Sequence, residues 1–183
     1  RKMQATATEY HANYPLRLGI TREVLRSQLR LKQAFFNQLL SIADDLVLDG
    51  QFVRLPAHAI RFTASQEQAI DRLLGQMEAD PYTTPSFSDA ATITGEDALY
   101  ALIERGEIVQ VQPEVIFTHS AYEQMVTSVL TLIVENGSVD AKQVRDHFST
   151  SRKYAIGLLE HMDEHGLTRR DGDLRVLGKN AFA

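Results

Sequence analysis

Three glycines recur in matching surroundings, and that recurrence narrows the possible architectures more than any other feature of the chain. Asp49-Gly50-Gln51-Phe52-Val53-Arg54-Leu55 is similar to Arg105-Gly106-Glu107-Ile108-Val109-Gln110-Val111 and to His165-Gly166-Leu167-Thr168-Arg169-Arg170, at spacings of 56 and 60 residues. In each segment a helical pattern ends and a β-rich run begins. Each Gly is therefore expected in the left-handed conformation that closes a helix, which a residue without Cβ adopts at no steric cost. A period of this size within 183 residues points to three copies of a small unit rather than to one long fold.

Apolar spacing supplies the helices ahead of each glycine. Phe35, Leu39, Ile42 and Leu46 fall on one expected face, as do Ala98, Leu99, Leu102 and Ile103, and then Ala155, Leu158, Leu159 and Met162. After each glycine come two β-rich runs: Phe52–Leu55 with Ile60–Phe62, Glu107–Val111 with Val115–Thr118, and Leu167–Arg170 with Leu174–Leu177. Asp171-Gly172 is a two-residue hairpin signal. Further helical patterns lie upstream. Tyr122, Met125, Val126, Val129, Leu130 and Ile133 form one face closed by Asn136-Gly137; Asp140 caps a short helix with Val144 and Phe148, and Thr150 or Ser151 caps the next. Ser65 with Gln68 makes a capping-box pattern, and Pro81 and Pro85 mark an irregular connection. Three helices followed by a hairpin is the winged-helix arrangement. The expected fold is thus α+β and mainly helical, a tandem array of three winged-helix domains at residues 1–63, 64–120 and 121–183. Short linkers near Thr63 and Ser120 favour a semi-rigid array.

Charge is unevenly spread along this array. The net charge of −5 resolves into nine Lys/Arg and five Asp/Glu in residues 1–63, two and ten in residues 64–120, and eight and nine in residues 121–183. The middle domain is acidic and spacer-like. In the first, Arg17, Arg22, Arg26, Arg30 and Lys32 make a basic stretch, best read as a helix surface or a contact for acidic groups.

No cysteine is present, so disulfides, thiolate metal sites and cysteine nucleophiles are excluded together. No apolar run approaches the ~20 residues of a membrane span, and Arg1-Lys2-Met3-Gln4-Ala5-Thr6 lacks the apolar core of a signal peptide. These features imply a cytoplasmic protein. His161-Met162-Asp163-Glu164-His165 matches the H-x-x-E-H pattern of inverted zinc peptidases, but Gly166 ends the helix directly after it and Met162 belongs to the core stripe. Solvent-facing residues at a helix C-terminus are the better reading. No Gly-rich nucleotide cradle occurs, and nothing places a Ser, a His and an Asp together, so no catalytic site or cofactor is expected.

The last unit concentrates a different chemistry. Arg152 and Lys153 follow Thr150 and Ser151 at the start of a helix, combining cations, hydroxyls and free backbone N–H groups where the helix dipole is positive. The wing adds Arg169, Arg170 and Arg175. In a two-residue hairpin Arg170 pairs with Asp173 and Thr168 with Arg175, so that Thr168, Arg170 and Arg175 share one face and Leu167, Leu174 and Val176 the other. Arg169 falls on the apolar face and reaches the surface by its stem. Tyr154 lies off the core stripe, free to stack on a base. The bland alternative pairs these cations with Glu160, Asp163, Glu164, Asp171 and Asp173 as an ordinary solvated face.

Residues Thr150-Ser151-Arg152-Lys153-Tyr154-Ala155-Ile156, Leu158-Leu159-Glu160, Asp163, Gly166, Thr168-Arg169-Arg170-Asp171-Gly172-Asp173 and Arg175-Val176-Leu177 together resemble the C-terminal end of the bacterial selenocysteine-specific translation elongation factor family, SelB. Upstream, Tyr10-His11, Pro15-Leu16-Arg17-Leu18-Gly19 and Glu23-Leu25-Arg26 resemble that family's second winged-helix repeat, and Thr84-Pro85-Ser86-Phe87 its third. Leu18 stands where Pro is common, His161-Met162 replaces an aromatic-Leu pair, and the stretch from Asp89 to Glu96 is shorter than usual. The resemblance implies a non-enzymatic, monomeric fragment whose last domain binds an mRNA hairpin, the selenocysteine insertion element, to direct UGA recoding. Ser151, Arg152, Lys153, Arg169, Arg170 and Gly172 would contact the hairpin. It further implies the ribosome as partner, and selenocysteinyl-tRNA, GTP and magnesium through an N-terminal GTPase with no counterpart in these 183 residues. The alternatives are a winged-helix DNA-binding regulator, although no dimerisation helix is evident, and a protein-interaction module.

Overall fold

Helices followed by a hairpin recur along the structure, and the departures from expectation trace to individual residues. The computed structural model describes residues 1–182. Contacts divide the chain into two units, one of Arg1–Ser65 and one running from Gln66 to the C-terminus.

The first unit contains α1 (Lys2–Asn13), β1 (Ile20–Thr21), α2 (Arg22–Gln28), α3 (Gln33–Ser41), β2 (Val47–Asp49) and β3 (Phe52–Arg54). Thr21 caps α2, its side chain accepting from Val24 N–H. The three strands form an antiparallel sheet in the order β1-β3-β2. Ile20, Leu25, Phe36, Leu40 and Val53 make the core, each fully buried apolar side chain contributing roughly 1.5–3 kcal/mol.

Two expectations fail in this unit. The buried stripe of α3 is Phe36 and Leu40, while Phe35 is 52% exposed and Ile42, already outside helical dihedrals at the C-cap, is 68% exposed. The wing is β2 with β3, not Phe52–Leu55 with Ile60–Phe62. Because α3 stops at Ser41, Val47–Asp49 is free to become a strand. Gly50 (φ 56°) then turns the hairpin that pairs Asp49 with Phe52, instead of ending a helix.

Helix α4 (Ala64–Ala79) belongs to the second unit from Gln66 onward and is followed by α5 (Phe87–Thr94), α6 (Glu96–Glu104), β4 (Ile108–Gln112) and β5 (Val115–Thr118). Ser65 lies inside the first turn of α4 rather than before it. Ser86 caps α5 through Asp89 N–H at 3.1 Å. The unit continues with α7 (His119–Asn136), β6 (Val139–Asp140), α8 (Ala141–His147), α9 (Arg152–Glu164), β7 (Thr168–Asp171) and β8 (Leu174–Leu177). Here the glycines behave as expected. Gly106 (φ 74°) and Gly166 (φ 68°) close α6 and α9, with Glu107 N–H reaching Leu102 C=O and Leu167 N–H reaching Met162 C=O, both at 2.9 Å.

The residues expected as separate middle and last domains share one interior. Val111, Val115 and Phe117 of the β4–β5 hairpin lie in the same apolar cluster as Met125, Val129, Val144, Leu158 and Met162. Polar ties cross the same junction. Thr150 Oγ1 donates to Tyr82 C=O, and Tyr154 Oη donates to Thr84 C=O at 2.5 Å. Thr84 Oγ1 in turn donates to Ile116 C=O. Among the described residues no helix is long and apolar enough to cross a membrane.

Candidate nucleic-acid interface

Local rules assemble the tip of the second unit. Asp140 accepts from Gln143 N–H at 2.7 Å while its own N–H donates to Gln143 Oε1 at 2.8 Å, a capping box that fixes the first turn of α8. Ser149, at φ 50°, reverses the chain between α8 and α9. The short strand β6 joins the wing, Val139 opposite Arg175 and Asp140 opposite Leu174, so the sheet order is β6-β8-β7. The starts of α8 and α9 and the wing therefore converge.

The wing closes one residue later than its sequence indicates. Asp171 pairs with Leu174 and Arg170 with Arg175, making Gly172-Asp173 the turn rather than Asp171-Gly172. Gly172 (φ 61°) holds the first central position, where type II′ turns require positive φ, and Asp173 needs none. The slide preserves parity, so Thr168, Arg170 and Arg175 still share a face. The burial is the reverse of what composition suggests: Thr168 and Arg175 are buried, whereas Leu174 is exposed.

Arg152 and Arg170 are brought together. Both line a groove of about 310 Å³, with Ala141, Ile156 and Leu159 among its apolar walls and Asp140, Glu160 and Asp173 around it. Arg170 Nε donates to Gly172 C=O at 2.9 Å, which holds its guanidinium along the turn. Among the described residues neither arginine has a carboxylate within 4.0 Å, and the same holds for Lys153 and Arg169. Asp140 is committed to its cap, and Glu160 accepts from Gln112 Nε2. Ser151 occupies the N-cap of α9, exposed, and its side chain caps nothing. Lys153 is exposed beside the groove's helix, its Nζ 5.7 Å from the Tyr154 ring.

Two of the expected contact residues, Tyr154 and Arg175, are buried rather than exposed. Tyr154 is 8% exposed and belongs to the core, its ring 5.9 Å from Phe117; burial, then Asp80 and Asp89, push its hydroxyl pKa up. It looked free of the stripe because it packs against the preceding module rather than its own. Arg175 also lines the groove, but it is 6% exposed, its Nε donating to Asp163 Oδ2 at 2.7 Å. Its charge is spent inside the protein, as the bland alternative has it for this one cation. Arg169 is exposed on the hairpin face opposite Arg170, beside Leu174 and Val176, the face expected for it.

Sequence reasoning missed Lys142. Exposed in the first turn of α8, it lines the same groove as Arg152 and Arg170. Only the pairing of β6 with the wing brings it there, and a lone Lys two residues beyond a cap is the whole of its sequence signal. In the H-x-x-E-H pair, His161 Nδ1 lies 3.1 Å from Tyr122 Oη, and the two imidazoles are tilted with ring centroids 4.1 Å apart. Burial, followed by His165, lowers the His161 pKa. Among the described residues no group of three or more His, Asp or Glu could hold a metal ion.

Helix-turn-helix modules with hairpin wings in series, the last with Lys142, Arg152 and Arg170 on one groove, define a tandem winged-helix protein. Two family models described as "Elongation factor SelB, winged helix" match residues 4–55 and 131–177, together more than half of the chain. The second match is to the third winged helix of the family, so Thr84-Pro85-Ser86-Phe87, expected in that repeat, falls between the matched ranges. The selenocysteine-specific elongation factor of Desulfomicrobium baculatum is 26% identical over 182 residues, which is 93% of this chain and 29% of that protein. The mRNA-binding domain of elongation factor SelB from E. coli, solved in complex with SECIS RNA, aligns over 64% of this chain and all of its own, with a TM-score of 0.52 and 26% identity. A crystal structure of bacterial selenocysteine-specific elongation factor EF-Sec shares the fold over 97% of this chain and 29% of its own, with a TM-score of 0.52 and 16% identity. The chain belongs to the SelB elongation factor family, as part of its winged-helix region. It spans about three-tenths of the length of the curated relatives it matches.

Proposed function

We propose that this chain is an mRNA-binding part of a selenocysteine-specific elongation factor, and that the groove between α8, α9 and the wing grips an mRNA hairpin that marks UGA for recoding. The observation that carries this reading is the pair Arg152 and Arg170: exposed, unneutralised, and on one groove at a helix start, in a module of the family whose E. coli member was solved with SECIS RNA. A-form RNA hides its major groove, so a compact surface of this kind reads backbone phosphates and loop nucleotides. Ser151, Lys153 and the exposed first turn of α9 extend the phosphate-facing edge; Gly172 shapes the turn and Arg169 faces a different side of the wing.

In this reading the fragment is non-catalytic, monomeric, cytoplasmic and free of any cofactor of its own. GTP, magnesium and selenocysteinyl-tRNA belong to another part of the whole factor, and the ribosome is the partner beyond the hairpin. The test is titration with the SECIS RNA hairpin and with duplex DNA of equal charge. Arg152→Ala or Arg170→Ala is expected to weaken hairpin binding by about 1–3 kcal/mol, and Arg72→Ala to leave it unchanged. Preference for the duplex, or equal losses at all three positions, refutes the reading.

A further inference from the structure

Besides Arg152, Arg170 and the ion-paired Arg175, the groove of the last module holds a fourth cation that no sequence motif identifies. Strand β6 is only Val139–Asp140, but its antiparallel pairing with β8 sets Asp140 opposite Leu174 and Val139 opposite Arg175. Since Arg175 is also opposite Arg170, the sheet places the start of α8 beside the wing. The capping box between Asp140 and Gln143 then fixes the first turn of α8, in which Lys142 sits. Lys142 is exposed, has no carboxylate within 4.0 Å among the described residues, and lines the same groove of about 310 Å³ as Arg152 and Arg170.

We infer that Lys142 is a phosphate-binding residue of this groove, contacting the hairpin backbone from the start of α8, beside the wing. The assignment rests on the RNA-binding reading above and adds to it an element outside the α9–wing motif. Arg152 and Arg170 grip from the second helix of the helix-turn-helix and from the wing. Lys142 supplies a third point of charge on α8, so the backbone is held from three elements rather than two. A Lys ammonium makes a compact point contact with no base preference, so its contribution is electrostatic and sequence-independent.

The full chain titrated with the SECIS RNA hairpin at several salt concentrations tests this. Lys142→Ala is expected to weaken binding roughly tenfold at low salt and to reduce the slope of log affinity against log salt by about one, with Lys142→Arg restoring both. Lys179→Ala, on the C-terminal tail away from the groove, serves as the control, and thermal unfolding shows that each variant is folded. If Arg152→Ala weakens binding while Lys142→Ala leaves affinity and slope at the parent values, the RNA reading stands and the Lys142 assignment falls. If the parent binds the hairpin no better than duplex DNA, the RNA reading falls and takes Lys142 with it.

Discussion

Removing the charge of Asp163 is expected to loosen the wing from α9. Asp163 accepts two hydrogen bonds at 2.7 Å, one from Thr168 Oγ1 on β7 and one from Arg175 Nε on β8. Its side chain is 21% exposed, and that of Arg175 only 8%. Asp163→Asn keeps the volume but leaves the Arg175 cation buried without a counter-charge. Breaking a fully buried pair this way costs roughly 3–5 kcal/mol; because water reaches part of Asp163, about 2–3 kcal/mol is expected. For a unit of this size each kcal/mol moves the midpoint by about 4 °C, so Tm should fall by roughly 10 °C. Adding Arg175→Met removes the orphaned charge and should recover at least about 1 kcal/mol of that loss, a coupling that denaturant unfolding of the double-mutant cycle measures directly. The double variant should also keep hairpin affinity within about threefold of the parent, because Arg175 is occupied inside the protein. Additive losses in stability would refute the pairing argument. Normal stability with lost RNA binding would show that Arg175 serves the ligand instead.

Three further outcomes follow from individual contacts. In the first unit burial, then His58 and Arg54, lower the pKa of His11 to about 4. The folded state therefore refuses a proton that the unfolded state accepts below about 6.5: the stability due to neutral His11 is complete above that pH and is lost as pH falls through about 4. Unfolding followed between pH 7 and 4 should show the slope, and His11→Gln should flatten it; an unchanged slope would dismiss His11 as the source. Gly178→Ala should destabilise strongly, since a Cβ would sit 2.1 Å from Gly166 C=O, whereas Gly75→Ala, exposed within α4 with nothing near its Cβ, should stabilise by about 0.5–1 kcal/mol. Thermal melts separate the two. Tyr154→Phe should cost about 1–2 kcal/mol by leaving Thr84 C=O without its donor; a neutral result in chemical denaturation would mean that the hydroxyl is not needed there.

What the sequence disclosed depended on how local the cause was. Left-handed Gly106 and Gly166, the Asp140 cap, the core stripe of α9 and the β4–β5 hairpin each follow from a few adjacent residues, and each was legible. The first wing was not, because Gly50 looks like Gly106 in its neighbours, yet α3 ends nine residues before it. Phe35 and Phe36 compete for one core position, and composition cannot say which turns inward. The groove was half visible: Arg152 and Arg170 belong to one continuous motif, but Lys142 enters it only through strand pairing. Tyr154 is hidden from the sequence for a related reason: its partner, Thr84, lies 70 residues away, so nothing nearby reveals that it is already engaged. The pairing of Arg175 with Asp163 was one of the two readings the sequence left open for that cation, and the structure chooses it.

The common interior of the β4–β5 hairpin and the last helix-turn-helix bears on mechanics. In the proposed reading a strand held at the groove would pull on α9, and the start of α9 is tied to Phe117, Thr84 and Tyr82 by Thr150 and Tyr154, which flank Ser151, Arg152 and Lys153. Among the described residues, shared apolar packing and hydrogen bonds join the two halves of this unit. Tension arising at the tip would pass along it as along a stiff lever, turning the acidic module together with the wing rather than being absorbed between them.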